Sequence, residues 1–178
     1  MHYIREGFTI MIKRNIEKLL TRCITDNKEN IYRLAYSYVK NKEDALDIVQ
    51  ESIYKALTSI DLLKDPEAVK SWLFRIVVNT SLDFLRKHKR VQVVDDEDLE
   101  FYSAGVEDVY PDMDLERTLE ELPLKYRSVI VLRYFEDMKI EEVAEILKEN
   151  VNTVKTRLYQ ALKMLRVTMQ DESLKEIN

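Results

Sequence analysis

Glycine occurs only twice and proline three times in the 178 residues. Strands joined by tight turns need such residues at every reversal, so a chain this poor in them is expected to be built of helices. The single cysteine, Cys23, excludes an internal disulfide, and with only two histidines, His2 and His88, it cannot complete a zinc site. No run of about 18 apolar residues is present, which excludes a membrane-spanning helix. The stretch Met1 to Asn15 alternates charged and apolar residues in a way unlike a signal peptide. Catalytic chemistry is poorly supplied: His2 lies in an N-terminal tail, His88 sits in a basic cluster, and no glycine-rich phosphate loop exists. These absences predict a cytoplasmic protein that is not an enzyme and that holds no metal or cofactor.

What is present suits a folded soluble chain, with 46% hydrophobic and 34% charged residues. The net charge of −5 is unevenly spread. Residues 91–116 hold ten acidic residues and no lysine or arginine, which leaves 28 basic against 23 acidic residues elsewhere. That acidic, weakly apolar stretch reads as a flexible linker between two folded parts. The expected fold is all-α: two small helical domains, at 16–90 and 117–170, with tails at 1–15 and 171–178. Met11 is an alternative start to Met1.

In the first part, Ile16, Leu19, Leu20, Cys23 and then Ile31, Leu34, Ala35, Tyr38 recur at helical spacing. Asn41 followed by Glu43 and Asp44 marks the N-terminus of a helix running to about Ile60. Ala45, Ile48 or Val49, Ile53, Ala56 or Leu57, and Ile60 are placed inward. Asp47, Gln50, Glu51 and Tyr54 line the opposite face, read as a solvated surface or as an acidic dock for a basic partner helix. Ile60 to Val69, with Pro66, reads as a loop. From Lys70 to about His88 a further helix buries Leu73, Phe74, Ile76, Val77, Thr80, Phe84 and Leu85. Along one side it carries Trp72, Arg75, Asn79, Asp83 and Arg86, ending in the basic cluster Arg86 to Arg90. An aromatic ring flanked by cations suits unstacked bases and their phosphates, and an amide such as Asn79 suits a base edge. The same strip also fits an ordinary capped, solvated helix.

The second part has the pattern of a helix-turn-helix. A short helix, Leu115 to Leu122, precedes Pro123, which opens the next helix, expected to reach about Phe135. Lys139 to Leu147 and Val151 to Thr168 follow, separated by Lys148-Glu149-Asn150, with Asn150 as N-cap. The last helix places Val154, Leu158, Ala161, Leu162 and Leu165 inward. Asn152, Lys155, Thr156, Tyr159 and Lys163 lie on the outer face, with Arg157 and Arg166 on the flank. From Val151 to Gln170 there are four basic residues and no acidic one. Such a face suits a helix in the major groove of DNA.

Three stretches, DALDIVQES at 44–52, SWLFRIVVNTSLDFLRK at 71–87, and 119–166, resemble bacterial RNA polymerase sigma factors of the extracytoplasmic-function group (sigma-70 group 4). Within it, the subgroup answering envelope or lysozyme stress is the most similar. The resemblance implies two helical domains, regions 2 and 4, and promoter-specific initiation of transcription together with core RNA polymerase. It implies that Asp47, Gln50 and Glu51 dock on the clamp helices of the largest polymerase subunit, with region 4 on the flap. It places Trp72, Arg75 and Asn79, together with Lys70, Ser71, Arg86 and Lys87, against the melted −10 element, and the 60–69 loop around a flipped base. Lys155, Thr156, Arg157, Tyr159 and Lys163 then meet the −35 element, with Asn152 and Thr153 at phosphate. The acidic linker is implied to thread towards the polymerase cleft. The partners implied are core polymerase, promoter DNA and an anti-sigma factor, commonly membrane-bound, that would hold the chain at the membrane. One departure is Lys148, where the family commonly has glycine. A stand-alone helix-turn-helix regulator is the alternative reading; it would need neither the α-helical acidic face nor the Trp72 strip, and it would usually dimerise.

Overall fold

The structure, a computed structural model, describes the backbone of residues 2–92 and 118–175 and the side chains of residues 14–88 and 118–167. The stretch read as an acidic linker, 91–116, therefore lies outside the described residues from 93 onward. Every described regular element is helical, as the scarcity of turn residues requires.

The first lobe contains α1 (His2–Asp26), α2 (Lys28–Val39), α3 (Lys42–Thr58) and α4 (Val69–Gln92). α1 begins well before the apolar period that starts at Ile16, since extending a nucleated helix costs little where no proline intervenes. At the α1–α2 junction the Asn27 amide donates to the Cys23 carbonyl at 2.8 Å, closing one helix and turning the chain into the next. Asn41 caps α3 as its sequence position suggested, its side chain accepting from the Asp44 N–H at 3.1 Å. Leu20, Ile31, Leu34, Ala45, Ile48, Ala56, Leu73, Phe74 and Val77 are essentially sealed from solvent. Each large side chain among them contributes about 1.5–3 kcal/mol by leaving water. Burial decides the open pairs of α3: Ile48 and Ala56 face inward, while Leu57 is exposed. The 60–69 connection is two short 3₁₀ turns, Ile60–Leu62 and Pro66–Ala68, with Leu63 buried between them and Leu62 exposed.

The second lobe contains a helical turn at 118–121, then α5 (Leu124–Ile130), α6 (Ile140–Leu147) and α7 (Val151–Lys175). Pro123 stands at the N-cap of α5 rather than inside it. α5 continues not as α-helix but as a π-helical segment, Val131–Phe135, in which Glu136 N–H bonds to the Val131 carbonyl at 3.1 Å. A wider turn shifts the register of the side chains that follow it, and periodicity alone does not reveal such a shift. Leu119, Leu122, Ile130, Ala161 and Leu165 form the small core of this lobe. Leu162, which the apolar period placed inward, is 41% exposed.

The α6–α7 turn is a Schellman closure: Glu149 N–H bonds to the Ala144 carbonyl at 2.9 Å and Lys148 N–H to the Glu145 carbonyl at 3.3 Å. It puts Lys148 at φ 55°, the left-handed region where a side chain is disfavoured and glycine is not. Lys148→Gly should therefore raise stability by about 0.5 kcal/mol, the relieved strain outweighing the added freedom of the unfolded chain. Thermal unfolding is expected to shift upward by about 1–2 °C.

The two lobes are packed against each other. α4 lies on α6, and α2 lies on α5 and the π-helical segment. Val129, Val131, Leu132, Met138, Val143, Ala144, Ile146 and Val154 of the second lobe join the apolar cluster of the first.

Candidate nucleic-acid interface

The outer face of α7 is built from its N-terminus. Asn150 accepts from the Thr153 N–H at 2.7 Å, capping the helix and fixing the direction in which it leaves the turn. Asn150, Val151, Asn152, Thr153, Thr156 and Arg157 line an open concavity of about 510 Å³ at that end. Unpaired N–H groups and the positive end of the helix dipole favour an anion there. Lys155, Thr156 and Lys163 are exposed, as is Asn152, and Tyr159 is 73% exposed. Arg157 is different. It is mostly covered and held by Glu149 at 2.7 Å, so its guanidinium is aimed by the turn that precedes the helix. Asn152, Thr153, Lys155, Thr156, Arg157, Tyr159 and Lys163 thus share a helix with no acidic residue from Val151 to Gln170, and Glu149, just before it, is the carboxylate that holds Arg157.

The α4 strip is arranged less openly. Lys87 is exposed; Arg86 is exposed and paired with Asp83 at 2.9 Å. Asn79 and Ser71 are half-buried, and the Ser71 hydroxyl donates to the Ala68 carbonyl at 3.1 Å. Trp72 is only 8% exposed and belongs to the shared apolar cluster, so in this arrangement its ring offers no face to a base. Lys70 Nζ donates to the Glu136 carbonyl at 2.9 Å and lies over the Phe74 ring. Arg75 pairs with Glu145 at 3.0 Å. Both acceptors belong to the second lobe.

The acidic face of α3 is free of such cover. Asp47, Gln50, Glu51 and Tyr54 are all exposed, with Glu51 paired to Lys55 at 2.8 Å on the same helix. Leu46 and Leu57 are exposed beside them, giving this face an apolar component that the charge pattern did not reveal.

Several groups at the seam between the lobes were not singled out from the sequence. Glu136 is fully covered, its carboxylate facing the Arg33 guanidinium of α2 at 3.9 Å and the Asn30 amide. Burial pushes the Glu136 carboxyl above its usual range, opposed by the Arg33 and Lys70 cations and the Asn30 amide. Arg33 also lies over the Phe135 ring. Further along, Lys40 and the buried Arg127 both donate to the Glu120 carbonyl. Burial, with Arg127 close by, lowers the Lys40 ammonium. Tyr38, buried beside Ser128 and Arg127, has its phenol pushed up to about 12 by burial. A contact such as Arg75 with Glu145 joins residues 70 positions apart, and no local period marks it. Among the described residues no cluster of histidine, cysteine and carboxylates could hold a metal ion, and no helix is long and apolar enough to cross a membrane.

Two family matches divide the chain as the lobes do. Residues 23–91 match the family described as Sigma-70 region 2, and residues 112–165 match Sigma-70, region 4. RNA polymerase sigma factor SigV of Bacillus subtilis is 57% identical over 162 residues, covering 91% of this chain and 98% of that protein. ECF RNA polymerase sigma factor SigW of the same organism is 33% identical, covering 90% and 94%. Two solved structures share the fold: CnrH in complex with the cytosolic domain of CnrY, and the sigma factor RpoE in complex with the anti-sigma factor NepR from Bartonella quintana. Their TM-scores are 0.65 and 0.66 at 21% and 23% identity; they cover 90% and 89% of this chain, and 96% of each is covered. A region 2 lobe is foreign to a stand-alone helix-turn-helix regulator, so that reading falls away. With both characteristic regions in order, and relatives alike over almost their whole length, the chain belongs to the extracytoplasmic-function sigma factors and is an alternative sigma factor that directs transcription.

Proposed function

We propose that this sigma factor reads the −35 element as duplex DNA through the outer face of α7 and holds the melted −10 strand on α4, while α3 docks on the clamp helices of core polymerase and region 4 on the flap. The observation that carries the reading is the α7 surface: a capped helix with Lys155, Thr156 and Tyr159 exposed and no acidic residue from Val151 to Gln170. Residues 117–178 carry 11 basic and 11 acidic residues, so the second lobe has little non-specific pull on a phosphate backbone. Specific binding then depends on polymerase holding both lobes at the promoter spacing, which converts two weak contacts into one bivalent contact. Strand opening draws on binding energy, with Lys70, Arg75, Arg86 and Lys87 meeting phosphate and Asn79 a base edge. For Trp72 to stack on a base, the second lobe must first leave α4.

The partner that restrains the chain in this reading is an anti-sigma factor, anchored in the membrane and holding the sigma factor there. Two solved structures with this fold are complexes: CnrH with the cytosolic domain of CnrY, and the sigma factor RpoE with the anti-sigma factor NepR.

The test is promoter-specific run-off transcription with core enzyme, with and without this chain; equal transcription in both arms refutes the function. Lys155→Ala should lower transcription from the preferred −35 sequence about tenfold and flatten the ranking of −35 variants, one base-edge contact being worth about 1–3 kcal/mol. An unchanged ranking removes Lys155 from base reading.

A further inference from the structure

Between α2 and the second lobe lies a cavity of about 110 Å³. Tyr36, Val131 and Phe135 give it apolar walls, and three cations, Arg33, Lys40 and Arg127, stand around it with one acid, Glu120. Arg33 has partners of its own, the Glu136 carboxylate at 3.9 Å and the Phe135 ring. Glu120 is exposed, and what Lys40 Nζ and Arg127 Nη1 share is its main-chain carbonyl. Two cations therefore converge on one neutral oxygen.

Arg127 is only 6% exposed, and its Nε–H meets no acceptor. A guanidinium takes a carboxylate side-on through Nε and Nη2, an edge that the Nη1 bond to Glu120 does not use. A buried donor without an acceptor costs free energy, which a ligand oxygen would recover. The electrostatics agree. Burial, and after it the Arg127 charge, lowers the Lys40 ammonium, and burial lowers the Arg127 guanidinium. An anion between them would oppose both effects.

We propose that this cavity binds a small organic acid, its carboxylate between Arg127 and Lys40 and its apolar body, no larger than a single ring, between Tyr36 and Phe135. The carboxylate oxygens accept from the free Arg127 edge and from Lys40, which keeps its bond to the Glu120 carbonyl. A single negative charge suits the place better than a phosphate dianion, whose greater loss of hydration the apolar walls do not return. The lining residues are none of those assigned to polymerase or DNA on α3, α4 and α7. Binding here is therefore a function separate from promoter reading, and the bound acid stabilises the folded chain by mass action.

The test is a chemical-shift titration of the isotope-labelled full chain with benzoate. Saturable shifts should centre on the amides of Ser37, Lys40, Glu120 and Arg127, with a Kd on the order of 1 mM, the range open to a ligand of so few atoms. Benzamide has the shape without the charge, and acetate the charge without the ring; each should bind at least about tenfold more weakly. Phenyl phosphate should also bind more weakly than benzoate. Lys40→Met, at a half-buried position, should weaken benzoate about tenfold. Lys125→Met, the same charge change at an exposed position of α5, should leave benzoate binding unaltered. Arg127→Lys keeps the charge but loses the edge, and should weaken benzoate about as much as Lys40→Met. Absence of saturable shifts at these amides overturns the proposal, as does equal binding of benzamide, undiminished binding by Lys40→Met, or an equal loss in Lys125→Met. Tighter binding of phenyl phosphate overturns the choice of a carboxylate.

Discussion

Phe74→Ala is expected to lower the free energy of unfolding by about 3–5 kcal/mol, the largest stability effect of any single change considered. Phe74 is fully sealed, on the face of α4 opposite the solvated strip, within the cluster shared by both lobes. Truncation removes its transfer free energy and leaves a cavity that helices on two sides cannot collapse into. Its ring also supports the Lys70 ammonium at 5.6 Å, so the loss reaches the edge of the −10 surface. Urea denaturation followed by circular dichroism measures it; a change below about 1 kcal/mol would mean that Phe74 is not sealed in the shared core.

Asp47→Lys is expected to weaken assembly with core polymerase about tenfold or more while leaving the fold intact. Asp47 is exposed on α3, so nothing in the interior depends on it. The change places a cation amid Asp44, Gln50 and Glu51, where a basic partner helix would be repelled instead of attracted. Because the effect is electrostatic, adding salt should narrow the gap between the two proteins. Competition against unaltered chain for a fixed amount of core enzyme reads the loss directly. Equal competition would remove the acidic face from the docking surface and leave exposed Leu46, Tyr54 and Leu57 to account for it.

Much of the architecture was legible because its signals are local. Asn41 and Asn150 announce their helices through a side chain that reaches only three residues ahead. The stripes of α2, α3, α6 and α7 follow from 3.6-residue periodicity, and the acid-free face of α7 needs only counting. Boundaries read less well. α4 runs to Gln92, into the stretch read as linker, and α7 runs to Lys175. The π-helical segment at 131–135 was invisible, as its wider turn answers to tertiary packing of Val131 and Leu132 and not to composition.

The binding surfaces divide in the same way. For the polar residues of α7 and α3 exposure follows from which face is apolar, although Leu162, Leu46 and Leu57 are exposed against that pattern. For Trp72, Arg75 and Lys70 it does not: Trp72 is buried in the cluster shared by both lobes, and Arg75 and Lys70 are partly exposed but bonded to Glu145 and to the Glu136 carbonyl of the second lobe.

By itself, then, the sequence determined helices, two lobes, the sigma-factor motifs and the polarity of each helix face, since all of these are set by neighbours within about two turns. Only the tertiary structure decided that the lobes close on one another and that Glu136 and Glu145 occupy the cations of α4. Contacts between residues 70 positions apart depend on how two apolar faces complement each other in space, and residue order does not encode that periodically.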